Sequence, residues 1–209
     1  MFDSPMADPG HKRGAISKEP SITAGPGARF GRLVVVVPLV LLLAVAAAIY
    51  VFGRNHIPNY SGTGLFGRTA QGTLALKSWL ATGVLGLAVL QLGSALWMYR
   101  MLPGVSAPPR RLGLVHRGSG VALVLVTLPI AYHCMFAYGV QRFDTRIAVH
   151  SLAGCFFYGA FAAKLTIVRS KRFPGWMLPI AGGTLVLLVV LLWYTSALWY
   201  FNDFHLPAI

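Results

Sequence analysis

Apolar residues form five long runs along the chain, and short polar segments rich in Gly, Pro, Arg and Lys separate these runs. Each run is about as long as the ~20 residues that a helix needs to cross the hydrocarbon core of a bilayer. We therefore predict an all-α integral membrane protein, a helical bundle with five transmembrane helices. The predicted helices cover residues 33–53, 76–101, 112–138, 146–168 and 176–201.

The segments outside these runs complete the predicted organisation. Residues 1–32 are rich in Gly, Pro, Ser and charge and show no apolar periodicity, which predicts a disordered, basic tail. Residues 33–53 form the first transmembrane helix, which we expect to pack outside the others. An outer loop, residues 54–75, leads to a four-helix transmembrane bundle, residues 76–201, and an outer tail, residues 202–209, follows.

Composition and charge support a membrane protein rather than a nucleic-acid-binding one. Hydrophobic residues make up 56% of the chain and charged residues 11%, whereas a soluble domain carries about 25% charged residues. The net charge of +13 comes from basic residues at the ends of the apolar runs, which favours control of topology over phosphate binding. Beyond Glu19 the only acidic residues are Asp144 and Asp203, so transport driven by carboxylates in the bilayer is not expected.

Lysine and arginine collect in alternate segments between the predicted helices. They are concentrated in the N-terminal tail, in the segment 100–111 and in the segment 169–172. Because cytoplasmic segments retain the excess of Lys and Arg, the amino terminus is expected to be cytoplasmic and the carboxyl terminus outside. In this orientation His133 and His150 lie in the outer half of the membrane and His116 lies in the inner half.

Two histidines are equally distant from the turn between the third and fourth predicted helices. His133 is eight residues before Gln141, and His150 is eight residues after Arg142, so a helical hairpin places both imidazoles at one depth. Such a pair is typical of the axial ligands of a haem iron. The sequence therefore predicts His133 and His150 as metal ligands of a b-type haem near the outer face. The alternative is that each only bonds a nearby carbonyl or reaches the interface.

Residues around His150 fit a haem site. Gly154, one helical turn after His150, leaves a flat face for a porphyrin, and Arg146, one turn before it, is positioned to pair with a propionate. Both are predicted to be cofactor-binding. The alternatives are that Gly154 is a small-residue helix contact and that Arg146 only caps the span at the interface.

The proposed pair faces a geometric limit, because two helices in contact lie about 8–10 Å apart, which is tight for two imidazoles and an iron. Either the two helices of the hairpin are spread apart, or the second haem ligand comes from another helix. The fifth predicted helix offers only His205, which lies about one turn beyond the required depth. His116 precedes Gly120 as His150 precedes Gly154. We interpret His116 either as a further cofactor ligand or as an interfacial or quinone-contacting residue.

Other chemistry is weakly indicated. Cys134 and Cys155 differ in depth and are not expected to form a disulfide. Gly62, Gly64 and Gly67 match the spacing of a dinucleotide-binding loop, but no strand precedes them, which favours an ordinary loop. No phosphate-binding loop, Cys-x-x-Cys pair or catalytic triad is visible, so we assign no catalytic residue.

The third to fifth predicted helices carry a family resemblance, in the motifs LVHRGSG, PIAYHCMFAYG and HSLAGCFFYGAFAAK. The chain resembles a family of small multi-helix bacterial integral membrane proteins of unassigned function whose genes lie near those of Rieske-type iron–sulfur proteins. More loosely, it is similar to b-type cytochrome membrane bundles. The first resemblance implies a redox setting. We expect a multi-pass location in the plasma membrane, the bacterial inner membrane.

These observations lead to one expected function and one alternative. We expect a membrane electron-transfer protein that carries a b-type haem near its outer face and works with a Rieske-type iron–sulfur partner or a quinone. The alternative is a non-catalytic membrane anchor or assembly subunit without a cofactor of its own. An absorbance spectrum of the purified protein separates the two.

Overall fold

A computed structural model describes residues 26–59, 64–170 and 172–206 of the protein, and most of the predicted tail lies outside these residues. Within the described ranges the chain forms helices and no strand, so the all-α prediction with five long apolar helices is confirmed. The long helices are α1 (Pro26–Asn55), α2 (Ala70–Met98), α3 (Leu112–His133), α4 (Thr145–Arg169) and α5 (Met177–Trp193), and a last short helix is α6 (Trp199–Phe201).

Local sequence explains where several of these helices begin. α2 begins at Ala70, six residues before the predicted start, because the Thr69 side chain caps it by accepting a hydrogen bond of 3.1 Å from the Gly72 N–H. Pro179 lies in the first turn of α5, where its missing N–H costs no helical hydrogen bond. α1 begins at Pro26, inside the segment that the sequence assigns to the tail.

α3 and α5 both change into a π-helical turn near their C-terminal ends. α3 continues into the turn Cys134–Tyr138, which stops at Gly139, whose φ of 67° suits a residue without a side chain. α5 continues into the turn Tyr194–Leu198 and then into α6. Both turns lie at the end of the bundle where the segment 139–144 joins α3 to α4, which we call the hairpin end. Wide turns of this kind often accompany functional sites.

The helices pack as a chain of neighbours rather than as a closed ring. α2 packs against α3 and α5, and α4 packs against α5 and α1. α3 and α4 are consecutive but do not pack against each other along their length. The bundle is therefore open between α3 and α4, and this gap positions the site described below.

α1 lies outside the four-helix bundle and packs closely on α4. An added Cβ at Gly159 would collide with the Leu42 carbonyl oxygen and would lie 3.4 Å from the Ala46 Cβ. Glycine thus lets the two backbones approach, as small residues commonly do between membrane helices. At the hairpin end, the Val140 N–H donates to the Gly53 carbonyl at 2.9 Å, which joins the end of α1 to the α3–α4 segment.

A small apolar core lies in the middle of the bundle, with contributions from α2, α3, α4 and α5. Its buried residues are Val84, Ala88, Leu123, Phe157 and Val189. Many large apolar side chains elsewhere on the helices are exposed, which suits a lipid environment. Each of the five spans is long and apolar enough to cross a membrane, with 21 to 29 residues and mean hydropathies of 1.5 to 2.9. These features indicate a multi-pass membrane protein.

Candidate functional site

A cavity of about 740 Å³ occupies the hairpin end of the bundle, where the gap between α3 and α4 leaves space. Side chains from α2, α3, α4 and α5 line it, and most of them are apolar. Val84, Phe157 and Val189 of the core also line the cavity. The Tyr158 hydroxyl donates to Thr127 Oγ1 at 3.1 Å and so links α4 to α3 across the gap. The size is within the range of about 300–1,000 Å³ typical of ligand sites.

His150 of α4 lines this cavity, and α5 determines the orientation of its ring. Its Nδ1 lies 3.0 Å from Thr195 Oγ1. The Thr195 Oγ1 also lies 2.8 Å from the Leu191 carbonyl, and when the hydroxyl proton is directed to that carbonyl the oxygen accepts from the imidazole. The network therefore assigns the proton to Nδ1 and leaves the lone pair on Nε2. An imidazole fixed in this way is prepared to bind a metal through Nε2.

Arg146 also lines the cavity, one turn before His150, and three groups surround its guanidinium. Its Nη1 donates to the Thr195 carbonyl at 3.0 Å. Its Cζ lies 3.8 Å from the centre of a Trp199 ring, a cation–π contact. Its Nε is 3.8 Å from an Asp144 carboxylate oxygen. The guanidinium is therefore fixed at the cavity by the π-helical turn Tyr194–Leu198, by α6 and by Asp144, the residue before its own helix.

Lys77 of α2 brings a second positive charge to the cavity, and the sequence alone did not single out this residue. Its Nζ donates to Cys134 Sγ at 3.8 Å and lies 4.8 Å from the centre of the Tyr138 ring. The helix start explains the omission. Because α2 begins at Ala70, Lys77 is two turns inside the helix rather than at the second residue of the predicted span 76–101. The Thr69 cap was the sequence signal for this earlier start.

Gly154 lines the cavity one turn beyond His150. A Cβ built on Gly154 meets only Leu192 Cδ2, at 4.0 Å. Its backbone is therefore not in forced contact with a neighbouring helix. The absent side chain leaves space that belongs to the cavity.

The structure does not bring His133 and His150 into one cavity. His133 lines a separate pocket of about 630 Å³ between α3 and the segment around Leu65, and its buried Nδ1 has no hydrogen-bond partner. The reason is the rotation of α3 about its axis. α3 turns the face with Ile130 and Cys134 toward the cavity, and His133 is about 100° away from Cys134. The number of residues from the turn predicts the depth of a side chain in the membrane, but it does not predict which face of the helix points toward the cavity.

His116 belongs to a polar cluster on α2 and α3 at the opposite end of the bundle. Its Nδ1 lies 2.7 Å from Ser94 Oγ, and the Gln91 side chain donates to the His116 carbonyl and, at 2.7 Å, to Ser119 Oγ. Gln91 and Ser94 are buried. Gly120 makes room for this cluster, since a Cβ there would lie 3.3 Å from Gln91 Nε2. Such bonds join helices inside a membrane, and here they lie away from the cavity.

The other described histidines also lie outside the cavity. His56 Nε2 is 3.1 Å from the Phe136 carbonyl, which links the end of α1 to α3, and His205 is exposed beyond α6. Cys134 and Cys155 both line the cavity as free thiols. Within residues 26–59, 64–170 and 172–206, no three His, Cys, Asp or Glu side chains are close enough to form a site for a bare metal ion.

Comparison with known proteins places these residues in a family. The sequence profile of the family of unknown function DUF6529 matches residues 34–208, which include all the cavity-lining helices. The chain belongs to this family. No curated protein and no solved structure matches the chain. The match agrees with the resemblance to an uncharacterised family, and the likeness to b-type cytochromes stays a prediction.

Proposed function

We propose that this member of the DUF6529 family is a membrane electron-transfer protein that binds one b-type haem in the cavity at the hairpin end. The observation that carries the proposal is the position of His150, which lines a cavity of about 740 Å³ with its Nδ1 3.0 Å from Thr195 Oγ1. Neutral imidazole with a free Nε2 is the usual protein ligand of haem iron. His150 replaces the sequence-predicted pair as the histidine ligand of the cavity.

The lining suits a haem better than a bare ion or a small polar solute. A haem combines a large apolar ring, one metal that needs only axial ligands, and two propionates. The cavity is correspondingly mostly apolar and contains one imidazole and two cationic side chains, Arg146 and Lys77. The guanidinium can donate two parallel hydrogen bonds to one propionate, and the ammonium can pair with the other propionate as a point charge. Gly154 leaves room beside the ligand.

The bundle supplies the surroundings that this chemistry requires. A bound haem would supply one-electron transfer, and the apolar lining would exclude water and tune its potential. In our proposal the distribution of Lys and Arg sets the cavity in the outer half of the plasma membrane. Electrons would then pass between the haem and either an external iron–sulfur protein, as the resemblance implies, or a quinone in the bilayer.

The test is the absorbance of detergent-purified protein, oxidised and dithionite-reduced, after expression with ample haem. We expect a Soret band and a sharp reduced α-band that His150→Ala abolishes. His133→Ala and His56→Ala are the matched controls, because both histidines lie outside the cavity, and both variants should keep the spectrum.

Two other results of this absorbance experiment would contradict the proposal in different ways. A colourless wild-type protein would refute the proposal and favour an anchor or assembly subunit without a cofactor. Loss of the spectrum in both His133→Ala and His150→Ala would support the pair predicted from the sequence and would refute a site with His150 as its one histidine.

A further inference from the structure

Thr195 is the most completely buried residue at the cavity, with 0% exposure, and it lies in the π-helical turn Tyr194–Leu198 of α5. It contacts the two residues of α4 that the proposed function uses most. Its hydroxyl is bonded to His150, and its carbonyl is bonded to Arg146. One residue of the π-helical turn is thus bonded to both polar side chains.

The hydroxyl of Thr195 acts on His150 as an acceptor. A hydroxyl has one proton, and two carbonyls of the preceding helical turn lie within reach of Thr195 Oγ1 as acceptors for it, Leu191 at 2.8 Å and Leu192 at 3.3 Å. What remains for the imidazole is an oxygen lone pair. An acceptor opposite Nδ1 stabilises the tautomer with the proton on Nδ1.

The carbonyl of Thr195 is available to Arg146 because of the π-helical turn. In a regular α-helix this carbonyl would accept the N–H of Trp199, four residues later. Here the Trp199 N–H is directed to the Ser196 carbonyl instead. The Thr195 carbonyl accepts from Arg146 Nη1 at 3.0 Å, which anchors the guanidinium over Trp199.

We infer that Thr195 is the positioning residue of this cavity: it sets His150 with Nε2 as the ligating atom and fixes Arg146 beside it. The inference that Thr195 sets the tautomer of His150 rests on the hydrogen bonds alone. The inference that Thr195 affects a bound cofactor rests on the proposed function. Thr195 orients the lone pair of His150 Nε2, which can bind a metal, and the guanidinium of Arg146, which can bind an anion. The expected ligand is therefore a cofactor that contains a metal and carries anionic groups.

The first test reads the tautomer without any cofactor. ¹⁵N NMR of histidine-labelled apoprotein, with His150 assigned from a His150→Gln sample, should show Nδ1 as the protonated nitrogen. Thr195→Val should remove this preference, and Thr195→Ser should restore it. Ser196→Ala is the matched control, because Ser196 lines the cavity from the same turn and its hydroxyl donates to the Leu192 carbonyl. An unchanged His150 spectrum in a folded Thr195→Val sample would overturn the inference.

The second test measures cofactor binding in the full chain. Removing a partner of this kind from a metal-ligating histidine weakens metal affinity roughly 10- to 100-fold. Thr195→Val should weaken haem binding by about this factor and shift the midpoint potential, whereas Thr195→Ser and Ser196→Ala should match the wild type. Equal haem affinity and potential in Thr195→Val would refute the positioning role and leave the haem site intact. A wild type without haem would refute the proposed function and leave the NMR result as the test of Thr195.

Discussion

Substituting Gly159 with Ala tests the close packing of α1 on α4, and Gly154 on the same helix supplies the matched control. Both replacements gain the helix propensity of Ala over Gly, about 1 kcal/mol each. At Gly159 the new Cβ collides with the Leu42 carbonyl and crowds Ala46, and such overpacking costs about 1–3 kcal/mol. At Gly154 the nearest atom is 4.0 Å away, an ordinary contact without strain.

The expected difference between the two variants follows directly. Gly154→Ala should leave the free energy of unfolding unchanged or raise it by up to about 1 kcal/mol. Gly159→Ala should be less stable than Gly154→Ala by about 1–3 kcal/mol, because the propensity gain cancels in the comparison. Equilibrium unfolding in mixed detergent micelles measures both values. A Gly159→Ala protein as stable as Gly154→Ala would show that α1 does not pack on α4 as described.

Three further predictions address the cavity, its charge and its orientation. Gly154→Leu should fill the cavity and lower haem retention, whereas Gly182→Leu in α5, where a Cβ has no neighbour within 4 Å, should retain the wild-type spectrum. Arg146→Gln should weaken haem retention and lower the midpoint potential by removing a positive charge near the iron; unchanged occupancy and potential would mean that Arg146 does not contact the cofactor. A reporter that works only outside the cytoplasm should be active after Ile209 and inactive after Pro108, and the reverse pattern would contradict the orientation.

The sequence was most informative about features that depend on position along a helix axis. The lengths of the apolar runs predict five transmembrane helices, because a helix needs about 20 apolar residues to cross the bilayer. The same one-dimensional count identified His150 and Gly154, which both line the cavity, since residues one turn apart share a face. For His133 the count was insufficient, because the face that α3 turns inward depends on its packing against α2.

The polar contacts of the cavity could not be read from the sequence in the same way. Thr195 and Trp199 lie in an apolar run without any motif, and their roles arise from a π-helical turn that changes which groups face α4. Nothing in the spacing of residues 176–201 marks that turn. The gap between α3 and α4 likewise depends on which helices are neighbours, and a short connecting segment favours direct packing rather than a gap.

The joint between α1 and the α3–α4 segment has a mechanical consequence. Gly53 and Gly139 meet so closely that a Cβ on Gly139 would lie 2.6 Å from the Gly53 carbonyl oxygen, and Arg54 adds a bond of 3.3 Å to the Val140 carbonyl. The contact leaves no room for one of the two segments to shift relative to the other. Gly139 and Val140 also line the cavity, so a displacement of α1 along its axis moves the cavity rim with it. α1 contributes almost none of the lining, yet its end is bonded to residues of the lining, so the position of α1 and the shape of the cavity are coupled.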